Sequence, residues 1–546
     1  MDQDGDVDSK TEKGGKETDS FKSGMEEECE GSGTGYPSLA SSSQPILLRG
    51  WPQTFARSID IYSSSPSLHS GMGMGMATGS LGLEHDNFLN SSCQREDEET
   101  AGFENSGGLC LKEPLLPNQN QQSLEEECDE YGRWGQQGVV GVIEEKRQGN
   151  SEGSSFIRAS VNGMNVLAGV GILSTPYALA HGGWLGIGIL LLFAAICCYT
   201  GILLKRCMDM KTQIHSYPDI GQTAFGHYGR IITSILLYLE LYSVAVEFLI
   251  LEGDNLGQLF PKMAMNFAGI SLNSHQSFVI LAALVILPTV WLRDLSLLSY
   301  VSAGGVVASV VVVLAVAWVG VFDGVGFTHQ GTMWNLSELP MVIGLYAFCY
   351  CGHAVFPNIY SSMNDHRQFY WVLILCFIVC TLIYGSIAVM GYLMFGNHLL
   401  SQVTLNLPRG KVASKVAIYT TLINPFTKYA LTLTPLSTAL EEFLPASNTS
   451  SKTSLLFWST FIRTLLLVST VVVALLVPYF GYLMALIGSA LSCSVSIILP
   501  CIFYLKIFGA RVSMCETTFI TLILIVGIIT GVVGTCSALQ KIAGNV

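Results

Sequence analysis

Three acidic residues stand seven residues apart inside one apolar stretch: Glu240, Glu247 and Asp254. Seven-residue steps keep side chains on one helical face, with a drift of about 20° per step. Ionisable groups inside a membrane-length apolar run are rare and costly, so each is a candidate for moving or balancing charge. Glu240 and Glu247 lie deep in the run and could exchange protons, whereas Asp254 falls near its end, where water can solvate it. Lys428 sits mid-run in "NPFTKYAL". A buried lysine can release its proton or remain as a fixed cation in place of sodium. Asn424 and Thr427 would supply polar ligands beside it. A structural ion pair between Lys428 and Glu240 or Glu247 is the competing assignment. Cys349, Cys351 and His353 form C-x-C-x-H. A closed zinc site needs four ligands, and the sequence offers no second cluster, so no metal is expected. His353 is expected to line a cavity instead, because it follows Gly352.

Helix-breakers occupy two of the apolar runs. "NVLAGVGILSTPYALAHGGW" (165–184) carries Gly169, Gly171 and Pro176; "GLYAFCYCGHAVFPNIYSSM" (344–363) carries Gly352 and Pro357. Each proline follows its glycine by five residues, and both pairs are related by an offset of 181. A backbone group unpaired in hydrocarbon costs several kcal/mol. Broken helices therefore belong where freed groups meet a ligand or line a polar cavity. The run Ala168-Gly169-Val170-Gly171 would let backbone approach a ligand closely, and Pro176 frees the carbonyl of Ile172. Close helix packing through small residues is the alternative use of the same glycines.

These groups need elements to hold them. The chain has 546 residues, of which 50% are hydrophobic and 13% charged, and a mean hydropathy of +0.46, which indicates a membrane protein. Eleven apolar runs of about 20 residues can each cross a bilayer core of ~30 Å: 157–181, 184–205, 231–252, 277–293, 296–320, 339–362, 369–395, 413–441, 455–477, 480–505 and 517–538. The fourth is short and the eighth polar. Runs one and six each open a group of five. Five is odd, so the second group starts from the opposite side, and the pattern is an inverted repeat. The domains expected are an acidic disordered tail (1–155), repeat one (156–320), repeat two (338–506) and an extra helix (516–540).

The net charge of −13 belongs to the tail: residues 1–155 hold 28 acidic and 11 basic side chains, and the remainder 13 and 17. Such a tail is too poor in apolar surface to order itself and argues against nucleic acid as a partner. It contains a serine-rich stretch (58–67) open to phosphorylation and a dileucine-like "KEPLLP" (112–117). No secretory signal opens the sequence. The cysteines follow no disulfide pattern and are expected as free, buried thiols. With the tail cytosolic, eleven Lys and Arg flank the runs inside and five outside, which favours that orientation and a lumenal C-terminus. Of three N-x-S/T sequons, only Asn335 then faces outward, with Asn90 and Asn448 inside. "GVGILS" lacks the third glycine and preceding strand of a dinucleotide loop. No hydrolase, kinase or zincin motif appears, so neither an enzyme nor a cofactor is expected.

Half-helix N-termini suit a carboxylate, and freed carbonyls suit an ammonium or a coupling cation. A zwitterionic amino acid offers both. The run Asn165-x-x-x-Gly169-x-Gly171-Ile172-Leu173-x-x-Pro176-Tyr177-Ala178 resembles the first-span signature of the amino acid/auxin permease family, in particular its plant and fungal vacuolar amino-acid transporter branch. "SYPDIGQTAFG" (216–226) and "NPFTKYALTLTP" (424–435) are also similar to that branch. The resemblance covers about 156–540 and leaves the tail out. It implies an all-α membrane protein of LeuT-like fold, with a five-plus-five inverted repeat and one further helix. It also implies proton-coupled transport of amino acids across an endomembrane, the vacuolar membrane foremost. Substrate is expected between spans one, three, six and eight. Asn165, Ala168, Gly169, Val170, Gly171 and Ile172 would meet the carboxylate side, and Phe348, Cys349, Tyr350, Gly352 and His353 the side-chain pocket. Glu240, Glu247, Lys428 and Asn424 are the candidates for proton coupling. No acid-rich sodium site is apparent, so protons are preferred over sodium, and antiport into the vacuole over symport. An amino-acid sensor with little flux and an auxin or organic-acid carrier are the alternatives.

Overall fold

The computed structural model describes residues 154–211, 214–263, 265–267, 270–292, 304–444 and 452–544. The expected disordered tail, its serine-rich and dileucine-like motifs and the sequons at Asn90 and Asn448 lie outside the described residues.

Span one is two helices, α1 (Phe156–Leu167) and α2 (Gly171–Gly182), bent by 53°. Spans two to five are α3 (Leu185–Met208), α4 (Tyr217–Leu259), α5 (Ser274–Trp291) and α6 (Gly305–Phe322). Span six is again two helices, α7 (Leu339–Cys349) and α8 (Phe356–Ser362). Then follow α9 (Phe369–Phe395), α10 (Val412–Glu441), α11 (Lys452–Leu476), α12 (Phe480–Phe508) and α13 (Met514–Ala543). Eight helices among the described residues are long and apolar enough to cross a bilayer, and the bent α1–α2 pair makes nine. The two other expected spans do not pass such a test alone: span six is split into pieces of 11 and 7 residues, and α10 carries "NPFTKYALTLTP" along its middle. A small antiparallel hairpin, β1 (Met265–Phe267) with β2 (Ile270–Leu272), joins α4 to α5, and a lone parallel bridge pairs Ser154 with Met363.

Local chemistry sets several boundaries. Ser216 and Asp219 form a reciprocal capping box that starts α4 well before the expected residue 231. Gly226, at φ 65°, kinks α4 between a short leading helix and the span proper. Asn273 and Gln276 cap α5 in the same reciprocal way. The eight-residue α12 opening passes through two π-turns, 488–492 and 494–498. There α12 packs backbone to backbone on α7: a Cβ at Gly488 would lie 1.8 Å from the Gly344 carbonyl oxygen.

Polar contacts gather the helix ends into two levels. At one, His181 (end of α2) lies 3.4 Å from Glu338 (before α7), which also binds Lys541 at the end of α13. At the other, Arg206 (end of α3) reaches Glu516 (start of α13) at 2.5 Å, and Tyr360 (α8) donates to Asp209 at 2.6 Å. Spans one and eleven thus end at the level where span six begins, and spans two and six end at the level where span eleven begins. Outward-facing Phe519, Leu522, Ile525, Ile529 and Val532 give α13 an apolar face suited to lipid.

Candidate functional site

The first break runs over residues 168–170, and its exit differs from the expectation. Pro176 lies inside α2, and the Ile172 carbonyl it frees accepts from the Thr175 hydroxyl at 3.1 Å. The helix therefore tolerates its proline, and the opening lies upstream. At the end of α1 the Gly169 N–H turns back to Leu167 O at 2.7 Å. The carbonyl of Asn165, which that N–H would serve in a continuous helix, is left over. Lys428 of α10 takes it: its Nζ donates to Asn165 O at 3.0 Å, with Lys428 only 5% exposed. A cation at a helix C-terminus also meets the negative end of the helix dipole. The competing ion pair with Glu240 or Glu247 is not formed. Thr427 turns away and bonds the carbonyls of Ile423 and Asn424.

Beside the break lies a cavity of about 20 Å³, lined by Gly169, Val170, Ile172 and Leu173 of span one, Ala308, Ser309 and Val312 of α6, and Thr420, Thr421 and Asn424 of α10. That is room for about one water. Ser309 Oγ donates to Ala168 O at 3.3 Å. Thr421 Oγ1 and Asn165 Oδ1 are buried there without a partner. Asn165 Oδ1 presses against Gly305, where a Cβ would come within 2.2 Å of it and 3.5 Å from Asn424 Oδ1. The cavity thus falls between spans one, five and eight. Spans three and six, expected beside the substrate, contribute no residue to the lining of this cavity. Span one packs tightly on span six: a Cβ at Gly171 would lie 2.9 Å from Cys349 Sγ and 3.2 Å from its Cα. Gly171 thus sits in close helix contact, whereas a Cβ at Gly169 would meet nothing nearer than 3.9 Å.

A family model described as transmembrane amino acid transporter protein matches residues 152–541. The chain belongs to this transmembrane amino acid transporter family. Amino acid transporter AVT1C of Arabidopsis thaliana is 46% identical over 511 residues, 90% of this chain and 89% of that protein. Amino acid transporter AVT1B of the same plant is 45% identical over 492 residues, 90% and 88% respectively. Both alignments hold more residues than the chain has from 156 onward, so likeness to these relatives reaches into the tail, beyond the expected limit. A solved structure of a Na+-coupled sialic acid symporter covers 70% of this chain and 88% of its own, with a TM-score of 0.45 and 13% identity. That likeness is too slight to bear on substrate or ion.

The second break of this family member spans residues 350–355, between α7 and α8, and Pro357 opens α8. Gly352 is in the break, where a Cβ would crowd Leu167 at 3.0 Å. Phe348 is part-buried and Cys349 buried, its thiol 3.6 Å from Gly171 O. Tyr350 is buried and shares a hydroxyl bond with Thr381 at 2.9 Å. His353 does not line the cavity. It is fully buried against span two, its Nε2 3.0 Å from both Cys197 O and Thr200 Oγ1. Cys351 points the other way, to Glu240, so the C-x-C-x-H side chains diverge.

Glu240 Oε1 accepts from Cys351 Sγ at 2.9 Å and Ser492 Oγ at 2.7 Å. One carboxylate therefore joins α4, the span-six break and the first π-turn of α12, a helix irregularity that often marks functional sites. Glu247 is buried with neither oxygen hydrogen-bonded. Asp254 sits at the end of the helix, paired with His275 at 2.9 Å and Gln402 at 2.9 Å. Glu252, also buried with both oxygens unpartnered, escapes a reading based on seven-residue steps, because five residues past Glu247 is ~140° around the helix. Its ionisable type in an apolar run was the available signal. Ser309 and Thr421 carry no such signal: small hydroxyl residues in spans usually bond their own helix.

Proposed function

We propose that this chain is a secondary active transporter that exchanges amino acids for protons across the vacuolar membrane, its N-terminus cytosolic and its C-terminus lumenal, loading the vacuole by antiport. The observation that carries the reading is the Lys428 ammonium on the Asn165 carbonyl at the span-one break. A freed helix-end carbonyl beside a polar cavity is the kind of place where a coupling sodium ion would bind. Here a side-chain cation holds it. Charge coupling then falls to protonatable groups, and Glu240 is placed for it, since its bonds reach both the span-six break and the irregular turn of α12. Glu247 and Glu252 are further carboxylates in the same helix with room to carry a proton rather than a charge. The break backbone from Ala168 to Ile172, with Asn165 and Asn424, supplies polar contacts to the zwitterion, and residues 348–352 at the second break back it. Residues 156–320 and 338–506 act as the two repeats, with 516–540 as the added helix.

The test is counterflow of a panel of labelled amino acids in vesicles of the purified full chain, with an imposed pH gradient, an imposed sodium gradient, or neither. Accumulation that follows the pH gradient and ignores sodium supports the reading. Accumulation that follows sodium and ignores pH refutes the coupling. Tight binding without flux would make the protein a sensor instead.

A further inference from the structure

Both helix breaks begin at a helix-end carbonyl: that of Leu167, the last residue of α1, whose backbone partner is the bent-back Gly169 N–H at 2.7 Å, and that of Cys349, the last of α7. One side chain meets both. The hydroxyl of Tyr384, on α9, donates to Leu167 O and lies 3.1 Å from Cys349 O. The backbone carbonyl of the same residue accepts from Thr175 Oγ1 at 3.3 Å, on α2, beyond the first break. Its ring meets Tyr350, at the end of α7, edge-on at 5.6 Å. Tyr384 is fully buried. A single residue thus bonds both halves of span one and the first half of span six.

We infer that Tyr384 is a positioning residue that holds the two breaks in register, so that the span-one and span-six halves of the substrate site keep one mutual arrangement. The inference rests on the amino-acid transport reading. Its physical basis is the carbonyl pair. A hydroxyl has one proton to give, and without it the two helix ends lose the one donor they share, Leu167 O keeping only the Gly169 N–H of its own break. Each break could then relax separately. The arrangement competent to bind would become a fraction of the population, and apparent affinity would fall by that fraction, while protein already loaded would cycle as before. The expected signature is a raised KM with Vmax preserved.

The test replaces Tyr384 by Phe in the full-length chain and measures KM and Vmax for counterflow of the amino acid the parent prefers, with binding followed by substrate-induced thermal shift. Loss of one buried hydrogen bond corresponds to a KM increase of roughly tenfold, with Vmax within twofold. Tyr429→Phe is the control for loss of a buried hydroxyl: its partner is the Thr470 hydroxyl of α11 at 2.5 Å, not a break carbonyl, and its KM should match the parent. A folded Tyr384→Phe protein whose KM stays within twofold of the parent overturns the inference, as does a fall in Vmax at constant KM. If Tyr384→Phe does not fold, Thr175→Val decides, compared with Thr175→Ser, which keeps the hydroxyl. A KM rise of roughly threefold in Val but not Ser supports the inference, and no difference overturns it. A parent that neither moves nor binds any amino acid fails as a transporter before any variant is compared, and removes this inference with it.

Discussion

Replacing Lys428 by Met is the sharpest test of how the first break is held. Met keeps an unbranched apolar stem of similar length in the slot but removes the ammonium. Two effects oppose each other in fold stability. The Asn165 carbonyl loses its donor at 3.0 Å, a cost of about 1–3 kcal/mol for a buried acceptor, and the α1 C-terminus loses a facing cation worth up to ~1 kcal/mol. Against this, a buried charge no longer has to be kept from water, a penalty of several kcal/mol in its own right. Global stability should therefore change little, and the melting temperature should stay within about 5 °C of the parent. The local arrangement is different, because nothing else at the cavity replaces the lost donor. About 2 kcal/mol against the ordered break corresponds to a loss of roughly 30-fold in uptake at low substrate. Arg should not rescue, since its planar fork is larger than the ammonium in a slot where Lys428 is 5% exposed. The assay is counterflow at matched amounts of folded protein, with thermal unfolding in parallel. Uptake within threefold of the parent would refute the reasoning. So would a large drop in melting temperature with substrate affinity intact, which would make Lys428 a structural prop.

Glu240→Gln keeps an acceptor for Cys351 and Ser492, so the protein should fold and exchange bound substrate while net flux no longer follows the pH gradient; flux that still tracks the gradient in Glu240→Gln, Glu247→Gln and Lys428→Met alike would remove all three as coupling groups. Gly171→Val should destabilise by about 1–3 kcal/mol through overpacking on Cys349, with partial recovery in the Cys349→Ala background, read as melting temperature. Gly169→Ala should leave the melting temperature unchanged but lower uptake, because its added methyl meets no protein atom closer than 3.9 Å and narrows the cavity instead; unchanged uptake would place the ligand elsewhere. His353→Ala should cost about 1–3 kcal/mol of stability through the lost bond to Cys197 O and leave KM unaltered, whereas a pocket-lining histidine would shift KM.

The sequence by itself determined what depends on stretches of chain. Apolar runs must become spanning helices, and α9 and α10 begin and end within a residue of the expected 369–395 and 413–441. The glycines at 169, 171 and 352 marked the two neighbourhoods where a helix could not continue, because backbone freedom is a local property. The heptad of Glu240 and Glu247 placed two carboxylates inside α4. Tertiary structure decided which way each group faces and what it meets. Gly171 packs against Cys349, His353 turns to span two, Lys428 finds a carbonyl 263 residues away, and α6 joins spans one and eight in lining the cavity beside the first break. Tyr384 is one of many aromatic residues in the sequence, and nothing near it in the chain announces that its hydroxyl lies between two helix ends. Periodicity gives a helix its faces, but neighbours are assigned by how helices remote in sequence pack, and that packing is settled by close contacts such as Gly344 on Gly488 that no single run encodes.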